Sequence, residues 1–207
     1  MFVQLLEFLR MPLLIFSFTV CVTPGPNNLM LAASGANFGY RRTIPHILGI
    51  LVGMNLLFLC TASGLAGILM AIPSLYWVLK IGGASYLLYF AWKIAMARGP
   101  NSKETNGGGP NKPISFVTAG LFQFMNPKGF VIGLSTLSVF AAPGPAYRLS
   151  VIAIMLVFTF VCIFTTSLWA GAGSILRRQM KTASFCKAFN ISLALLTAAT
   201  VLVLLIP

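Results

Sequence analysis

The chain has 207 residues, of which 58% are hydrophobic and only 8% charged, with a mean hydropathy of +0.92. A soluble domain carries roughly a quarter charged residues, so this composition excludes a water-soluble globular class and fits one all-α polytopic membrane domain of about six spans. The net charge of +12 does not point to nucleic acid, because nearly all the basic residues fall in loops between long apolar runs.

The first apolar segment runs over about residues 3–39 and is interrupted at 23–26. No basic region or small-residue cleavage site precedes it, so it reads as a retained span. A second segment runs over about 44–72 and carries Gly49 and Gly53, a GxxxG pair that lets another helix approach closely. A third covers about 75–97, with Gly82-Gly83-Ala84-Ser85 as a second small-residue contact, and Tyr76, Trp77 and Trp92 placed as an aromatic belt would be. Residues 98–113 form one hydrophilic, Gly/Pro/Asn-rich linker. The fourth segment, about 114–142, is interrupted at Asn126-Pro127-Lys128-Gly129; the fifth and sixth cover about 149–176 and 188–206. Cys21, Cys60, Cys162 and Cys186 are scattered, show no CxxC spacing, and read as small buried hydrophobes within spans.

The interruption Thr23-Pro24-Gly25-Pro26-Asn27-Asn28 organises the rest. Proline removes a backbone donor, so Pro24 frees the carbonyl of Val20 and Pro26 that of Val22. Gly25 permits a bend, and Pro26 suits the first position of a new helix. In lipid, unpaired backbone is tolerated only where it is buried in protein or lines a polar cavity. Such a half-helix start offers the N–H groups of Asn27, Asn28 and Leu29 to an anion. The carbonyls of Val20, Val22 and Gln123 (opposite Pro127) suit an ammonium group. The side chains of Asn27, Asn28, Gln123 and Asn126 donate or accept as required. The pattern matches a zwitterion. Asn55, Ser135 and Thr136 read as interhelical hydrogen-bonding groups.

The two halves correspond. Three segments precede the linker (repeat one, 1–97) and three follow it (repeat two, 114–207), and in each half the first segment is the broken one. An odd number of spans per half makes the repeat inverted. Paired proline-interrupted spans at matching positions point to a transporter site near the midplane. Twelve residues of helix reach about 18 Å, so both breaks fall near the middle of the bilayer. Ten basic residues lie in the loops after segments one, three and five, against Arg10, Lys80 and Arg148 on the other side. The bias predicts a cytoplasmic linker and external termini.

Few ionisable groups lie within the apolar segments. Lys128 sits beside the second break and either serves a site or snorkels to an interface. Glu7 is one turn from Arg10 and reads as an interfacial pair; Glu104 is in the linker. His46, the sole histidine, reads as exposed at the interface. Any proton coupling would have to use His46, Glu7 or the substrate's own groups. There is no acid–base pair, metal cluster or nucleophile constellation of the kind an enzyme site needs.

Thr23-Pro24-Gly25-Pro26-Asn27-Asn28, Gly39-Tyr40-Arg41-Arg42 and Gly49-xxx-Gly53 resemble the LysE/RhtB family of bacterial amino-acid exporters. So do Gly82-Gly83-Ala84-Ser85-Tyr86-Leu87, Ala91-Trp92-Lys93 and Phe124-Met125-Asn126-Pro127-Lys128. The resemblance runs in order over nearly the whole chain. It implies efflux of small amino acids across the inner membrane, with a small-molecule amino-acid substrate, lipid surroundings, no nucleic-acid partner, no cofactor and no ATP-binding component; self-association is left open. Lys112-Pro113-Ile114-Ser115-Phe116 and Gly133-Leu134-Ser135-Thr136-Leu137-Ser138 look closest to the branch exporting cysteine and O-acetylserine. Homoserine/threonine-type members often carry an aspartate in span five, whereas the region around Cys162 has no acid. Competing readings are efflux of another small solute or a metal ion, a membrane thiol–disulfide redox carrier using Cys21 and Cys162, and a non-catalytic membrane scaffold.

Overall fold

A computed structural model describes residues 2–97, 112–179 and 182–205, and every regular element among them is a helix. Residues 98–111 of the expected linker, Glu104 and the side chains of Glu7 and Arg10 lie outside the described residues.

Helix α1, Phe2–Val22, ends where the sequence predicts. Its last backbone bond runs from Thr23 N–H to the Thr19 carbonyl, and Pro24 has no N–H to continue the ladder. Helix α2, Pro26–Phe38, starts on proline in its first turn. It stops at Gly39, whose φ of 85° is open to glycine at little cost, and α3, Tyr40–Ala62, follows at once. The second apolar segment is therefore not one span. It breaks at Ser63-Gly64, where Gly64 adopts φ 103°, and continues as the short α4, Leu65–Ala71. The physical reason is a left-handed helix stop, which a hydropathy profile does not register because Ser63 and Gly64 are neither strongly polar nor charged. Helix α5 covers Pro73–Ala95. The second predicted break is present: α6, Phe116–Gln123, and α7, Pro127–Phe140, flank it. Helix α8, Tyr147–Leu176, and α9, Ala183–Leu205, complete the chain.

By length and composition, Tyr40–Ala62, Gly144–Leu176 and Ser184–Leu202 can each cross a bilayer, and Met11–Val22 and Pro127–Phe140 are shorter apolar helices. Large apolar side chains such as Ile15, Val131, Leu156 and Phe160 are more than 60% exposed. An outer surface this apolar is tolerable when lipid replaces water around it. Trp77 and Trp92 are exposed, as belt residues would be.

The most extensive packing is α2 on α8, α5 on α9 and α3 on α6, with α1 and α3 also on α8. Small residues set these distances. A Cβ on Gly49 would stand 2.7 Å from Ala119 Cβ and collide with the Phe116 carbonyl; one on Gly53 would stand 2.7 Å from Gln123 Cγ. Thus the GxxxG pair of α3 brings α6, and with it the second break, against α3. Gly83 on α5 does the same at the Met125 carbonyl, and Gly35 and Gly173 let α2 and α8 touch backbone to backbone. Lys80, counted on the outer side from sequence, lies within α5 near its start. It is buried, with its ammonium 5.0 Å from the Trp77 ring, so the lysine stem and the aromatic face shelter one another.

Candidate functional site

The two breaks, about a hundred residues apart in the chain, meet. A cavity of about 50 Å³ is lined by Gly25, Asn27 and Asn28 from the first break and by Gln123, Asn126 and Lys128 from the second. Pro24, Pro26 and Pro127 are not in its wall; they act by ending and starting helices. The junction is a carboxamide pair. Asn27 Nδ2 donates to Gln123 Oε1 at 2.8 Å, while Gln123 Nε2 donates to the Ala119 carbonyl at 2.8 Å and reaches Asn27 Oδ1 at 3.4 Å. Gln123 is fully buried, held there by the close α3–α6 approach at Gly53.

The helix starts at the two breaks differ. On α7 the Asn126 side chain accepts from the Lys128 N–H at 3.2 Å, so that terminus is capped. On α2 the N-cap is Gly25 and no side chain caps the helix. Leu29 N–H is already spent on the Gly25 carbonyl at 3.0 Å, which corrects the expectation that it is free. The donors left at this terminus are the N–H groups of Asn27 and Asn28. Gly25 has an extended φ of −170°, so no bend demands glycine. A Cβ there would lie 3.1 Å from Cδ and Nζ of Lys128, a tight contact that the lysine side chain would have to yield to by a few tenths of an ångström. The Lys128 ammonium donates to the Thr23 carbonyl at 2.8 Å. It therefore sits over the first break and does not snorkel outward. One lysine and one uncapped helix start converge, one from each half of the chain, and both carry the charge that attracts an anion.

The carbonyls expected to be free are largely claimed. Val22 O accepts from Trp169 Nε1 at 3.2 Å, and Gln123 O from the Asn126 N–H at 3.3 Å. Asn28 Nδ2 donates to the carbonyls of Cys21 at 2.8 Å and Thr23 at 2.9 Å. Asn28 thus splints the end of α1 and is itself only 6% exposed. These are corrections to the ammonium half of the sequence reading: buried backbone acceptors recruit whatever donors the fold brings near.

Asn55 does bridge helices, donating to Thr159 Oγ1 at 2.8 Å. Ser135 and Thr136 do not; their hydroxyls bond back to the carbonyls of Val131 and Ile132 on their own helix. On α8, Cys162 is singled out by the sequence only as one of a candidate thiol pair, and Thr165, Thr166 and Trp169 are not singled out at all. Thr165 and Thr166 line the cavity beside Cys162, and Trp169, on the same helix, bonds the Val22 carbonyl at the end of α1. Their spacing, with Cys162, Thr165 and Trp169 three and four residues apart, marks one helix face and was the available signal. Cys21 shares this wall within hydrogen-bonding reach of Cys162, Cys186 is buried, and Cys60 is exposed, contrary to the uniform burial expected of the four. His46 is completely buried, not exposed as expected. Among the described residues no group of three or more His, Cys, Asp or Glu could hold a metal ion.

A second cavity, of about 500 Å³, opens at the end of the bundle where α5 leaves and α6 enters; Asn37, Tyr86, Tyr89, Lys93, Lys112 and Thr118 are among its lining residues. On α2 and α6 the buried Met30 and Phe122, which cluster with Leu87 of α5, fall in chain order between the residues lining one cavity and those lining the other.

Comparison with known proteins follows this geometry. The family described as LysE type translocator matches residues 18–206. Relatives named cysteine/O-acetylserine efflux protein, from Escherichia coli O1:K1 / APEC, Escherichia coli strain K12 and Shigella flexneri serotype 5b, are 31% identical over 185 residues, covering 87% of this chain and 89% of theirs. No solved structure matches the chain.

Proposed function

The chain belongs to the LysE type translocator family, a multi-pass membrane protein of the amino-acid exporter class, and on that premise we propose that it is a secondary exporter of small neutral amino acids working by alternating access. The substrates are cysteine and O-acetylserine or close kin such as homoserine and threonine. The observation that carries the reading is the meeting of the two broken helices at one cavity, with the Asn27–Gln123 bond across it and Lys128 of the second break over the first.

The substrate carboxylate is received by the N–H groups of Asn27 and Asn28 with the Lys128 ammonium, and the zwitterion's ammonium by side-chain and backbone oxygens of the same wall. Pro24, Gly25, Pro26 and Pro127 hold that geometry open, and Asn126 fixes the start of α7. The cavity between the breaks is small, about 50 Å³ against about 500 Å³ for the larger cavity. The conformation is therefore contracted around the site, and loading requires the Asn27–Gln123 bridge to part. The larger cavity is the vestibule on one side, and Met30, Leu87 and Phe122 are the closed gate between.

Six spans in two inverted repeats, 1–97 and 114–207, underlie the alternation. In support, part of the packing corresponds between halves, although α2 packs on α8 and α9 far more extensively than α7 does on α3 and α5. Helices α5 and α9 pair with each other, as do α3 and α8, and the contact of α3 with α6 has its counterpart in α8 with α1. The linker and vestibule face the cytoplasm, the termini face outward, and the membrane is the inner one, in keeping with the basic-residue bias.

A redox carrier is the second reading, favoured by Cys21 and Cys162 sharing the cavity wall. One reconstitution separates them. Liposomes carrying the chain and preloaded with unlabelled O-acetylserine should take up labelled O-acetylserine by exchange, and the Cys21→Ser/Cys162→Ser variant should do so equally. Absence of exchange with O-acetylserine, cysteine, homoserine and threonine alike would overturn the exporter reading; its loss on removing the two thiols would favour the redox one.

A further inference from the structure

His46 is 0% exposed, and neither ring nitrogen has a hydrogen-bond partner. An imidazole buried without any partner is costly and rare, and each such group calls for an explanation. Its position supplies one. Thr43, one turn before it, hydrogen-bonds Ser34 of α2 at 2.9 Å, and Ser34 lines the vestibule. Gly49, one turn after it, faces the start of α6 at Phe116. His46, on α3, therefore lies where α2, α3 and α6 converge, and α2 and α6 are the helices that bear Asn27 and Gln123.

The surroundings are bare of other titrating groups. Of the helices packed on α3, α2, α4 and α6 carry no titratable side chain. Helix α7 brings only Lys128, at the break. Helix α8 brings Tyr147 and Arg148 at its far end and Cys162 at the cavity, and α3 itself adds Tyr40, Arg41 and Arg42 at its start and Cys60 near its end. No carboxylate occurs in any of these helices. We propose that His46 is the proton site that couples export to the proton gradient: it takes one proton from the outer side while the site faces outward, and releases it to the cytoplasmic vestibule when the interface of α2, α3 and α6 opens there. No bond changes except N–H at one ring nitrogen, and the proton travels opposite to the amino acid. This rests on the transport reading above, and the test keeps the two apart.

The reconstituted full chain is assayed with labelled O-acetylserine in two modes, exchange without a gradient and uptake driven by an imposed pH difference at zero membrane potential. Wild type should exchange, and the pH difference should accelerate its net flux at least about fivefold. His46→Gln should exchange at a rate within about twofold of wild type and show no acceleration. Exchange failing in wild type sinks the exporter reading. Exchange with no response of the wild type to the pH difference, or an undiminished response in His46→Gln, overturns the role of His46 alone. A variant that does not accumulate is bypassed by a measurement on the wild type: because the chain has one histidine, ¹⁵N-histidine labelling gives a single imidazole in the NMR spectrum. Its protonation should change between pH 5 and 9 and shift on adding O-acetylserine. A neutral, unresponsive ring over that range would refute the proposal.

Discussion

Replacing Pro24 and Pro26 together by alanine tests the heart of the site. Each proline disfavours an uninterrupted helix by about 3 kcal/mol relative to alanine, so the pair biases the chain toward the break by about 6 kcal/mol. Four hydrogen bonds oppose straightening: Asn28 to the carbonyls of Cys21 and Thr23, Lys128 to Thr23, and Trp169 to Val22. At about 1 kcal/mol each, and about 1.5–3 for the charged one, they amount to about 5 kcal/mol. Removing the prolines thus erases about half of what holds the break and lets the N–H groups at 24 and 26 pair with the Val20 and Val22 carbonyls. Whenever the helix runs through, the uncapped start of α2 is gone. That start is worth about 1–2 kcal/mol to an anion, about five- to thirtyfold in affinity, and displacement of Lys128 adds to the loss. The double variant should therefore insert and accumulate normally, yet export O-acetylserine from preloaded cells at least about tenfold more slowly. The assay is appearance of labelled substrate in the medium, normalised to protein in the membrane fraction by immunoblot. Full efflux by a normally accumulating Pro24→Ala/Pro26→Ala protein would refute the idea that the break binds the carboxylate.

Other predictions follow from the same geometry. Lys128→Met should raise the half-saturating substrate concentration about 10- to 100-fold, the size of one charge-assisted hydrogen bond at about 1.5–3 kcal/mol, with little effect on accumulation; an unchanged value would remove Lys128 from the anion site. Gly53→Ala places a methyl 2.7 Å from Gln123 Cγ; the overpacking should lower stability by about 1–3 kcal/mol and slow export by pushing Gln123 off Asn27, readable as a drop in melting temperature in detergent alongside flux. Amino-acid amides, which lack the carboxylate, should compete poorly with their parent amino acids in the exchange assay, and equal competition would count against the helix-start site. A cysteine at Gly108 should resist membrane-impermeant thiol reagents in intact cells and react after lysis; labelling in intact cells would reverse the proposed orientation.

What the sequence determined by itself is what local backbone chemistry decides. Pro24, Pro26 and Pro127 end and start helices wherever they stand, because a missing N–H and a ring clash act within four residues. The membrane class, both breaks, the close approach at Gly49 and Gly53, and the family resemblance were all legible on that basis. Only the tertiary structure decided which groups the breaks face. Asn27 meeting Gln123, Lys128 reaching Thr23, Trp169 claiming Val22 and the burial of His46 all depend on how each helix is rotated about its axis. In a soluble protein an amphipathic stripe reports that rotation. Here apolar residues cover the lipid-facing and core-facing sides alike, since lipid is as apolar as the core. Small residues and hydrogen bonds between distant segments set the rotation instead, and they exist only once the helices have packed.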